Sequence, residues 1–383
     1  MERLHARHVV LGAGAMGTAA AYHLTQRGEP VLLVEQFRVG HDRGSSHGAA
    51  RITRHSYADP RHARLMLDAF RCWRDLEADA AANLYVRTGG VSFCPGPGDY
   101  VARVCSSLAS IGVPHRRLTG SQLRRVYPVF AVPDSYDAVF EPDAGLLAAS
   151  RILAAQVELA RQHGGAAFRL LEDCPIRRID LDADRPTLVA DDLLITAECL
   201  IVTAGSWVCR LLPGLGVPLR PTRQQVLYFR PADMEPFTIG RFPVFIFLGA
   251  AELDAFYGMP AVLDTGVKVA RHGGPEVDPD AVDRSGDDAY RSVVRRFLRG
   301  HVPALADAPI ARAEVCLYTM APGEDFLVDF LPGRADVLVA SPCSGHGFKF
   351  SNLVGRVLAD LARDGGTGVA IDPWRLTGRC GLS

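Results

Sequence analysis

Two lysines stand out among the residues that could do chemistry. Of the 42 basic residues in this 383-residue chain, Lys268 and Lys349 are lysines and all the others are arginines. Such a bias is typical of a GC-rich coding sequence. A lysine that is retained despite the bias therefore raises the question of whether its position has a chemical need for lysine. Arginine is a planar, permanently charged fork, whereas lysine is a compact point charge whose pKa shifts readily on burial. The two positions therefore indicate either chance survival on the surface or sites that need a compact ammonium group.

A glycine-rich turn near the N-terminus predicts a dinucleotide site. His8 to Leu11 is typical of a short buried strand, residues 12–17 form a G-x-G-x-x-G turn, and a helix is expected from Ala15 to Arg27. A second buried strand over residues 31–34 follows and ends in an acid. The glycines allow close approach to a pyrophosphate at a helix N-terminus, and the acid accepts hydrogen bonds from a ribose. The predicted cofactor-binding residues of this unit are Gly12, Gly14, Ala15, Met16, Gly17 and Glu35.

The glycine turn by itself leaves NAD and FAD open, although Glu35 disfavours NADP. Residues 200–205 read Leu-Ile-Val-Thr-Ala-Gly, which is typical of a buried strand ending in Ala204 and Gly205. In FAD enzymes of the glutathione-reductase type, a late strand that ends in this way passes close to the cofactor. We therefore expect both segments in one sheet, with the intervening chain leaving the nucleotide domain and returning.

Two segments place charged residues where they could face a ligand. Residues 44–57 are typical of a loop that leads into a helix, and Arg51 and Arg54 lie three positions apart in it. They form either a solvated basic face or an anion site. Residues 254–260 and 266–272 alternate like strands and are predicted to pair as a hairpin. Lys268 and His272 would then share one face of a buried strand.

Two further segments lie towards the C-terminus. Residues 315–319 are typical of a strand with Cys316 and Tyr318 on one face. A buried strand over residues 337–340 runs into a loop with glycines on both sides of His346 and with Lys349 at the entrance of a helix expected at 352–362. This arrangement is typical of a loop around a ligand, although an ordinary strand–turn–helix is the alternative.

The composition excludes several classes of protein. A formal net charge of −1 gives no reason to expect nucleic acid or an anionic membrane as a partner, and the sequence predicts no signal peptide or membrane span. The nine cysteines are odd in number and contain no C-x-x-C pair, which argues against a disulfide framework and a structural zinc site. We expect no metal site and a cytoplasmic location.

The quoted segments together resemble the monomeric sarcosine oxidase family, which includes N-methyltryptophan oxidase and pipecolate oxidase. The match runs nearly end to end, and SGHGFKFS is its most specific part. The matching motifs are GAGAMG at 12–17, GSSHGAARITRH at 44–55, FEPDAG at 140–145, IVTAGSW at 201–207, PTRQQV at 221–226, VKVARH at 267–272, CLYT at 316–319 and SGHGFKFS at 344–351.

The resemblance implies an α/β fold, α+β overall. A glutathione-reductase-type FAD-binding Rossmann domain is expected from residues 1–85, 141–215 and 310–383. A second, mixed-sheet substrate domain is expected from residues 86–140 and 216–309. The FAD would be joined covalently to Cys316 through its 8α-methyl group.

The resemblance also assigns roles to residues. Arg54 and Lys349 match a pair that clamps the substrate carboxylate, and Lys268 matches a lysine that promotes reaction with O2. Further catalytic residues line the substrate cavity or pack near the flavin: Tyr257, His272, Tyr318, His346, Arg51 and His47. The remaining cofactor-binding residues are Ser45, Arg51, Ala204, Gly205, Cys316, Gly345, Gly347, Phe348 and Lys349.

The implied activity is that of a monomeric flavoprotein oxidase. It would oxidise the C–N bond of a carboxylate-bearing secondary amine, an N-methyl or cyclic amino acid such as sarcosine, proline or pipecolate, and reduce O2 to hydrogen peroxide. Departures at Ser46, Arg271 and Cys343 put the substrate in doubt, which leaves open a natural-product biosynthetic oxidase acting on a cyclic imino acid or a tethered amine. An FAD-carrying electron-transfer subunit is the alternative from another class, and the retained Lys268 argues against it.

Overall fold

The first sheet is the one that contains the glycine turn. A computed structural model describes residues 1–96, 99–249, 254–262 and 265–376 of the chain. The first sheet has the order β10-β11-β12-β1-β2-β9, with β19 on the C-terminal half of β12 and β18 beside β19. Its strands are β1 (Glu2–Leu11), β2 (Val31–Val34), β9 (Phe168–Leu171), β10 (Arg178–Asp180), β11 (Thr187–Val189), β12 (Leu193–Val202), β18 (Val328–Leu331) and β19 (Arg334–Ala340).

A second, mixed sheet supplies the other side of the molecule. Its order is β17-β13-β16-β15-β14-β5-β7-β6, antiparallel except for the parallel pair β14 and β5. Its strands are β5 (Gly90–Cys94), β6 (Arg116–Thr119), β7 (Asp137–Glu141), β13 (Arg220–Phe229), β14 (Val244–Leu248), β15 (Ala255–Met259), β16 (Val267–Arg271) and β17 (Ile310–Met320). A small third sheet consists of β3 (Arg51–Thr53), β4 (Tyr85–Arg87) and β8 (Gly145–Leu147).

Helices cover the sheets and create the cores. Helix α1 is buried along nearly its whole length because it contacts α5 and α9 as well as the first sheet. Helix α7 packs its apolar face against the phenylalanine-rich core of the second sheet. The helices are α1 (Ala15–Gln26), α2 (Pro60–Ala80), α3 (Asp99–Ser110), α4 (Gly120–Val126), α5 (Ala149–Gly164), α6 (Val208–Leu211), α7 (Asp288–His301), α8 (Pro303–Ala306) and α9 (Ser351–Asp364).

Most predicted elements are present, and their ends differ where pairing partners extend them. The strand predicted at residues 31–34 is β2, and the predicted hairpin is the antiparallel pair β15 and β16. Strand β1 begins at Glu2 rather than His8, because its exposed first half pairs with β12 along its whole length. The segment around Arg51 and Arg54 is not helical: Arg51 starts the short strand β3, and the helix begins at Pro60.

Strand β17 lies in the second sheet, although the sequence assigns residues from 310 onwards to the nucleotide domain. It pairs antiparallel with β13 from Arg220 opposite Met320 to Phe229 opposite Ile310, and this register ties it to the substrate side. The division into two domains remains a prediction, and residues 377–383 lie outside the described residues. Among the described helices, none combines the length and apolar character that a bilayer crossing requires.

Close packing of α1 against α9 yields a stability prediction. A Cβ added to Gly355 of α9 would lie 2.4 Å from the Cβ of Ala19 and 2.5 Å from its carbonyl carbon. Because backbone cannot move aside cheaply, Gly355→Ala is expected to destabilise the fold by about 1–3 kcal/mol. The matched control is Gly300→Ala in α7, where an added Cβ meets nothing within 4 Å. That change is expected to be neutral or to stabilise by about 0.4–1 kcal/mol.

Thermal unfolding followed by circular dichroism compares the two variants with the parent. The expected result is a clear fall in Tm for Gly355→Ala alone. Equal Tm values for both variants would contradict close α1–α9 packing.

Candidate active site

The glycine turn locks the ends of two central strands together. Gly12 has a φ of +102°, and a Cβ there would lie 2.6 Å from the carbonyl oxygen of Thr203. The Thr203 hydroxyl donates to the carbonyl oxygens of Leu11 at 3.0 Å and Gly12 at 2.9 Å. Only glycine fits this position, and the hydrogen bonds of Thr203 place Ala204 and Gly205 beside the turn. A nucleotide can therefore approach the backbone closely at this edge of the sheet.

Glu35 is held rigidly at the end of β2. Its carboxylate accepts hydrogen bonds from the backbone N–H of Ala13 at 2.7 Å and of Phe37 at 2.9 Å. The residue is only 4% exposed. These contacts leave lone pairs of a fixed carboxylate beside the turn, as a ribose acceptor requires.

Gly17, by contrast, faces the turn itself. A Cβ on Gly17 would lie 1.8 Å from the Gly12 carbonyl oxygen, so this glycine allows α1 to pack closely. It does not line the cavity described below. Its expected effect on a cofactor is therefore through the position of the helix, whose Ala15 N–H donates to the Ser46 hydroxyl at 3.0 Å.

A cavity of about 820 Å³ extends from the glycine turn to the second sheet. It brings together residues that are far apart in the sequence, and every predicted site residue except Gly17 lines it. The lining set is Gly12, Gly14, Ala15, Met16, Glu35, Ser45, His47, Arg51, Arg54, Ala204, Gly205, Tyr257, Lys268, His272, Cys316, Tyr318, Gly345, His346, Gly347, Phe348 and Lys349. No cluster of metal-ligating side chains occurs within the described residues.

Lys268 enters this cavity from strand β16. It is 4% exposed, and its Nζ donates to the Ala50 carbonyl oxygen at 3.3 Å. Burial, assisted by the positive charge of Arg51, lowers the pKa of Lys268 to about 7. The carboxylate of Glu314 partly opposes this effect. The Lys268 amino group can therefore gain or lose a proton near neutral pH, which an arginine side chain could not do.

Cys316 and Tyr318 both line the cavity from β17, as their even spacing predicts. The thiol of Cys316 is buried, and burial raises its pKa. The positive charges of Arg51 and Lys268 act in the opposite direction. Burial likewise raises the pKa of Tyr257, which lines the cavity from β15. A buried thiol thus faces the cavity, and the two cations offset only part of the effect of burial.

Arg51 organises the loop that precedes it. Its Nη2 donates to the carbonyl oxygens of Ser45 at 2.9 Å and His47 at 2.6 Å, and its Nη1 donates to that of Ala50 at 3.0 Å. The guanidinium lies 5.7 Å from the ring centroid of Phe348. Burial lowers the pKa of His47 to about 4, with a further contribution from Arg51, so this imidazole is neutral at pH 7.

Two cations meet at another part of the cavity wall. The Nε and Nη1 atoms of Arg54 are buried without a hydrogen-bond partner. Lys349 is 6% exposed, and its Nζ donates to the Tyr57 hydroxyl at 3.0 Å and to the His346 carbonyl oxygen at 2.8 Å. Burial and the nearby Arg54 charge hold the pKa of Lys349 well below its usual range. Positive charge with unused donors is the arrangement that a carboxylate ligand completes.

The backbone after Arg54 is held by a buried acid. The carboxylate of Glu141 accepts from the backbone N–H groups of His55 and Ser56, both at 2.9 Å, and pairs with His55 Nδ1 at 2.7 Å. Burial raises the pKa of Glu141, but these hydrogen bonds outweigh that effect and lower it below its usual value. Glu141 therefore fixes the chain between Arg54 and Tyr57.

Sequence reasoning assigned no role to Tyr57, Glu141 or Glu314. Glu141 lies in the quoted FEPDAG motif and Tyr57 closes the quoted 44–57 segment, so motif membership was the available signal. The three residues that depart from the family pattern lie in different places. Cys343 and Ser46 line the cavity, whereas Arg271 does not.

Fold and site together define an oxidoreductase built around a dinucleotide. Residues 7–361 match the family described as FAD dependent oxidoreductase. A monomeric sarcosine oxidase from Bacillus sp. (strain NS-129) is 34% identical over 367 residues, covering 94% of this chain and 93% of that protein. An N-methyl-L-tryptophan oxidase from Yersinia pestis (strain Pestoides F) is 33% identical over 360 residues, covering 93% of this chain and 94% of that protein.

Solved structures agree at the level of the fold. NikD, an amino acid oxidase essential for nikkomycin biosynthesis, has a TM-score of 0.84 at 24% identity, covering 97% of each chain. L-proline dehydrogenase from P. horikoshii has a TM-score of 0.84 at 20% identity, covering 97% of this chain and 98% of that one. The chain belongs to the FAD-dependent oxidoreductase family, which confirms the predicted resemblance, fold class and FAD cofactor.

Proposed function

We propose that this protein is an FAD-dependent amine oxidase acting on a carboxylate-bearing secondary amine, an N-methyl or cyclic amino acid. The proposed reaction converts the amine and O2 into an imine and hydrogen peroxide, so that two electrons and two protons pass from the C–N unit to oxygen. The observation that carries the proposal is the pair Arg54 and Lys349 on one cavity wall, where Lys349 is buried and two buried guanidinium nitrogens of Arg54 have no hydrogen-bond partner. The sarcosine and N-methyltryptophan oxidases named above support the same substrate class.

The residues present fit FAD along the cavity. Gly12 leaves the turn open where a Cβ would collide, and Glu35 presents a fixed carboxylate for a ribose. The N-terminus of α1 would hold the pyrophosphate, because its N–H groups and dipole favour negative charge. When bound, FAD supplies the electron acceptor for amine oxidation and the donor for O2. We propose that Cys316 bonds covalently to it.

The chain's own groups divide the remaining work. Arg54 would make a bidentate contact with the substrate carboxylate and Lys349 a point-charge contact, which together fix the amine carbon in position. Both cations disfavour a second positive charge nearby and so favour the neutral amine. Lys268, in its protonated form, would stabilise the anion that forms when O2 takes up an electron.

The protein is proposed to be a cytoplasmic monomer. All eight cysteines within the described residues are free thiols, which fits a reducing compartment. The monomeric state follows from the resemblance to the monomeric oxidases.

Replacement of Arg54 tests the substrate class. Purified holoenzyme is assayed for hydrogen peroxide with N-methyl and cyclic amino acids and with their carboxamides. Arg54→Met should reduce kcat/KM for the acids by about 2–5 kcal/mol in free-energy terms, because it removes one partner of a buried charge pair. The amides, which lack the negative charge, should change little. Arg103→Met is the matched control, since Arg103 is an exposed arginine paired with Asp99 on α3.

Equal activity of the wild type on acids and amides would reject the carboxylate requirement. Absence of peroxide with every amine tested would reject the oxidase itself.

Cys316→Ala tests the covalent bond. After acid precipitation, flavin absorbance should stay with wild-type protein and appear in the supernatant of the variant. Cys343→Ala is the control, because Cys343 is another cysteine on the wall of the same cavity, and its flavin should stay attached. Free flavin from the wild type would refute the linkage.

Lys268→Met tests the oxygen role in stopped-flow experiments that separate flavin reduction from reoxidation. The variant should slow reoxidation far more than reduction. In the wild type, reoxidation should slow as pH rises through about 7, because Lys268 loses its proton there. The variant should lack this dependence. Equal slowing of both half-reactions would sink the assignment.

A further inference from the structure

Tyr57 connects the two cations of the proposed carboxylate site. The guanidinium carbon of Arg54 lies 4.5 Å from the centre of the Tyr57 ring, within cation–π range. The Tyr57 hydroxyl lies 3.0 Å from Lys349 Nζ and 3.0 Å from His346 Nδ1. One side chain thus contacts Arg54 through its face and Lys349 through its hydroxyl.

The hydrogen bonds around Tyr57 have a defined direction. His346 Nε2 lies 2.9 Å from the carbonyl oxygen of Glu324, which can only accept, so Nε2 carries the proton. Burial holds the pKa of His346 well below its usual range, so the ring is neutral and Nδ1 is an acceptor. The Tyr57 hydroxyl must therefore donate to Nδ1 and accept from Lys349. The chain runs from Lys349 through Tyr57 and His346 to the Glu324 carbonyl.

This direction sets what Lys349 has left for a ligand. In the protonated form that a bound carboxylate would favour, the Lys349 ammonium group has three N–H donors. One goes to the Tyr57 hydroxyl and one to the His346 carbonyl oxygen, which leaves one donor with a fixed direction. The ring of Tyr57 at the same time lies against the Arg54 guanidinium, whose Nε and Nη1 have no partner.

We propose that Tyr57 is a positioning residue that aligns Arg54 and Lys349 for one carboxylate, its ring ordering the guanidinium and its hydroxyl ordering the ammonium group. The inference rests on the proposed function, because it assumes that the two cations bind a carboxylate. Tyr57 itself is not proposed to contact the reacting atoms. The backbone of Tyr57 is in turn fixed by the Glu141 contacts with the two residues before it.

The test measures binding rather than turnover. The probes are methoxyacetate, which has the shape of N-methylglycine without an oxidisable amine, and methoxyacetamide, which lacks the carboxylate charge. Their affinities for the holoenzyme are measured by calorimetry. Tyr57→Phe removes the hydroxyl and keeps the ring, whereas Tyr57→Leu removes both. Tyr136→Phe is the matched control, because the Tyr136 hydroxyl also pairs with a histidine, His301, at 3.2 Å, outside the cavity.

The expected result is a selective loss of carboxylate affinity. Tyr57→Phe should weaken methoxyacetate about tenfold, since one hydrogen bond to a charged group is lost, and Tyr57→Leu about a hundredfold. Methoxyacetamide should bind all variants as it binds the wild type, and Tyr136→Phe should change neither affinity. Bound-flavin absorbance and Tm confirm that each variant is folded.

Two results would overturn the role of Tyr57, and a third would overturn the carboxylate site on which that role rests. A wild-type preference for methoxyacetate that persists in both Tyr57 variants would show that the cations align without it. Equal weakening of both probes would show a general structural effect. No preference in the wild type would instead overturn the carboxylate site itself, and with it the proposed substrate class.

Discussion

Positive charge that nearby anions balance only in part is the constraint around which this site is built. Removing an ammonium or guanidinium group from water costs several kcal/mol unless opposite charge or good hydrogen bonds replace the solvent. Around Lys268 and Lys349 the replacement is carbonyl and hydroxyl oxygen, and it is incomplete, so burial lowers the pKa of both lysines. Two donor atoms of the Arg54 guanidinium have no hydrogen-bond partner. A bound carboxylate would supply the missing negative charge.

The arrangement of the two sheets is what buries these positively charged groups. The first sheet ends in the glycine turn, where Thr203 ties the ends of β1 and β12 together. The second sheet brings β16 and β17 to opposite edges of β13, which delivers Lys268 and Cys316 to one cavity. Glu141, at the end of β7, connects the second sheet to the chain that follows Arg54. Both cation sites therefore depend on contacts between elements that are distant in sequence.

Local patterns predicted the elements whose own residues define them. Strand β2 was predicted from its apolar run, the β15–β16 hairpin from the alternation of its two segments, and α9 as the helix after the loop around His346; no partner changes them much. Prediction failed where a partner decides the conformation. The exposed half of β1 is a strand because β12 lies beside it, and Arg51 is extended because β3 pairs with β8. Gly17 was grouped with the cofactor contacts because a motif does not distinguish a contact from a packing position.

The sequence by itself determined the kind of chemistry: a dinucleotide turn with an acid, two lysines in an arginine-rich chain, and a cysteine on a strand facing the same way as Tyr318. Only the tertiary structure decided how the cations are used. The two lysines lie 81 positions apart, yet they line one cavity with different neighbours. Tyr57 joins Arg54 to Lys349 because its ring and hydroxyl meet groups from opposite ends of the chain. The physical reason is that burial, partner and hydrogen-bond direction arise from packing, which spacing along a chain does not encode.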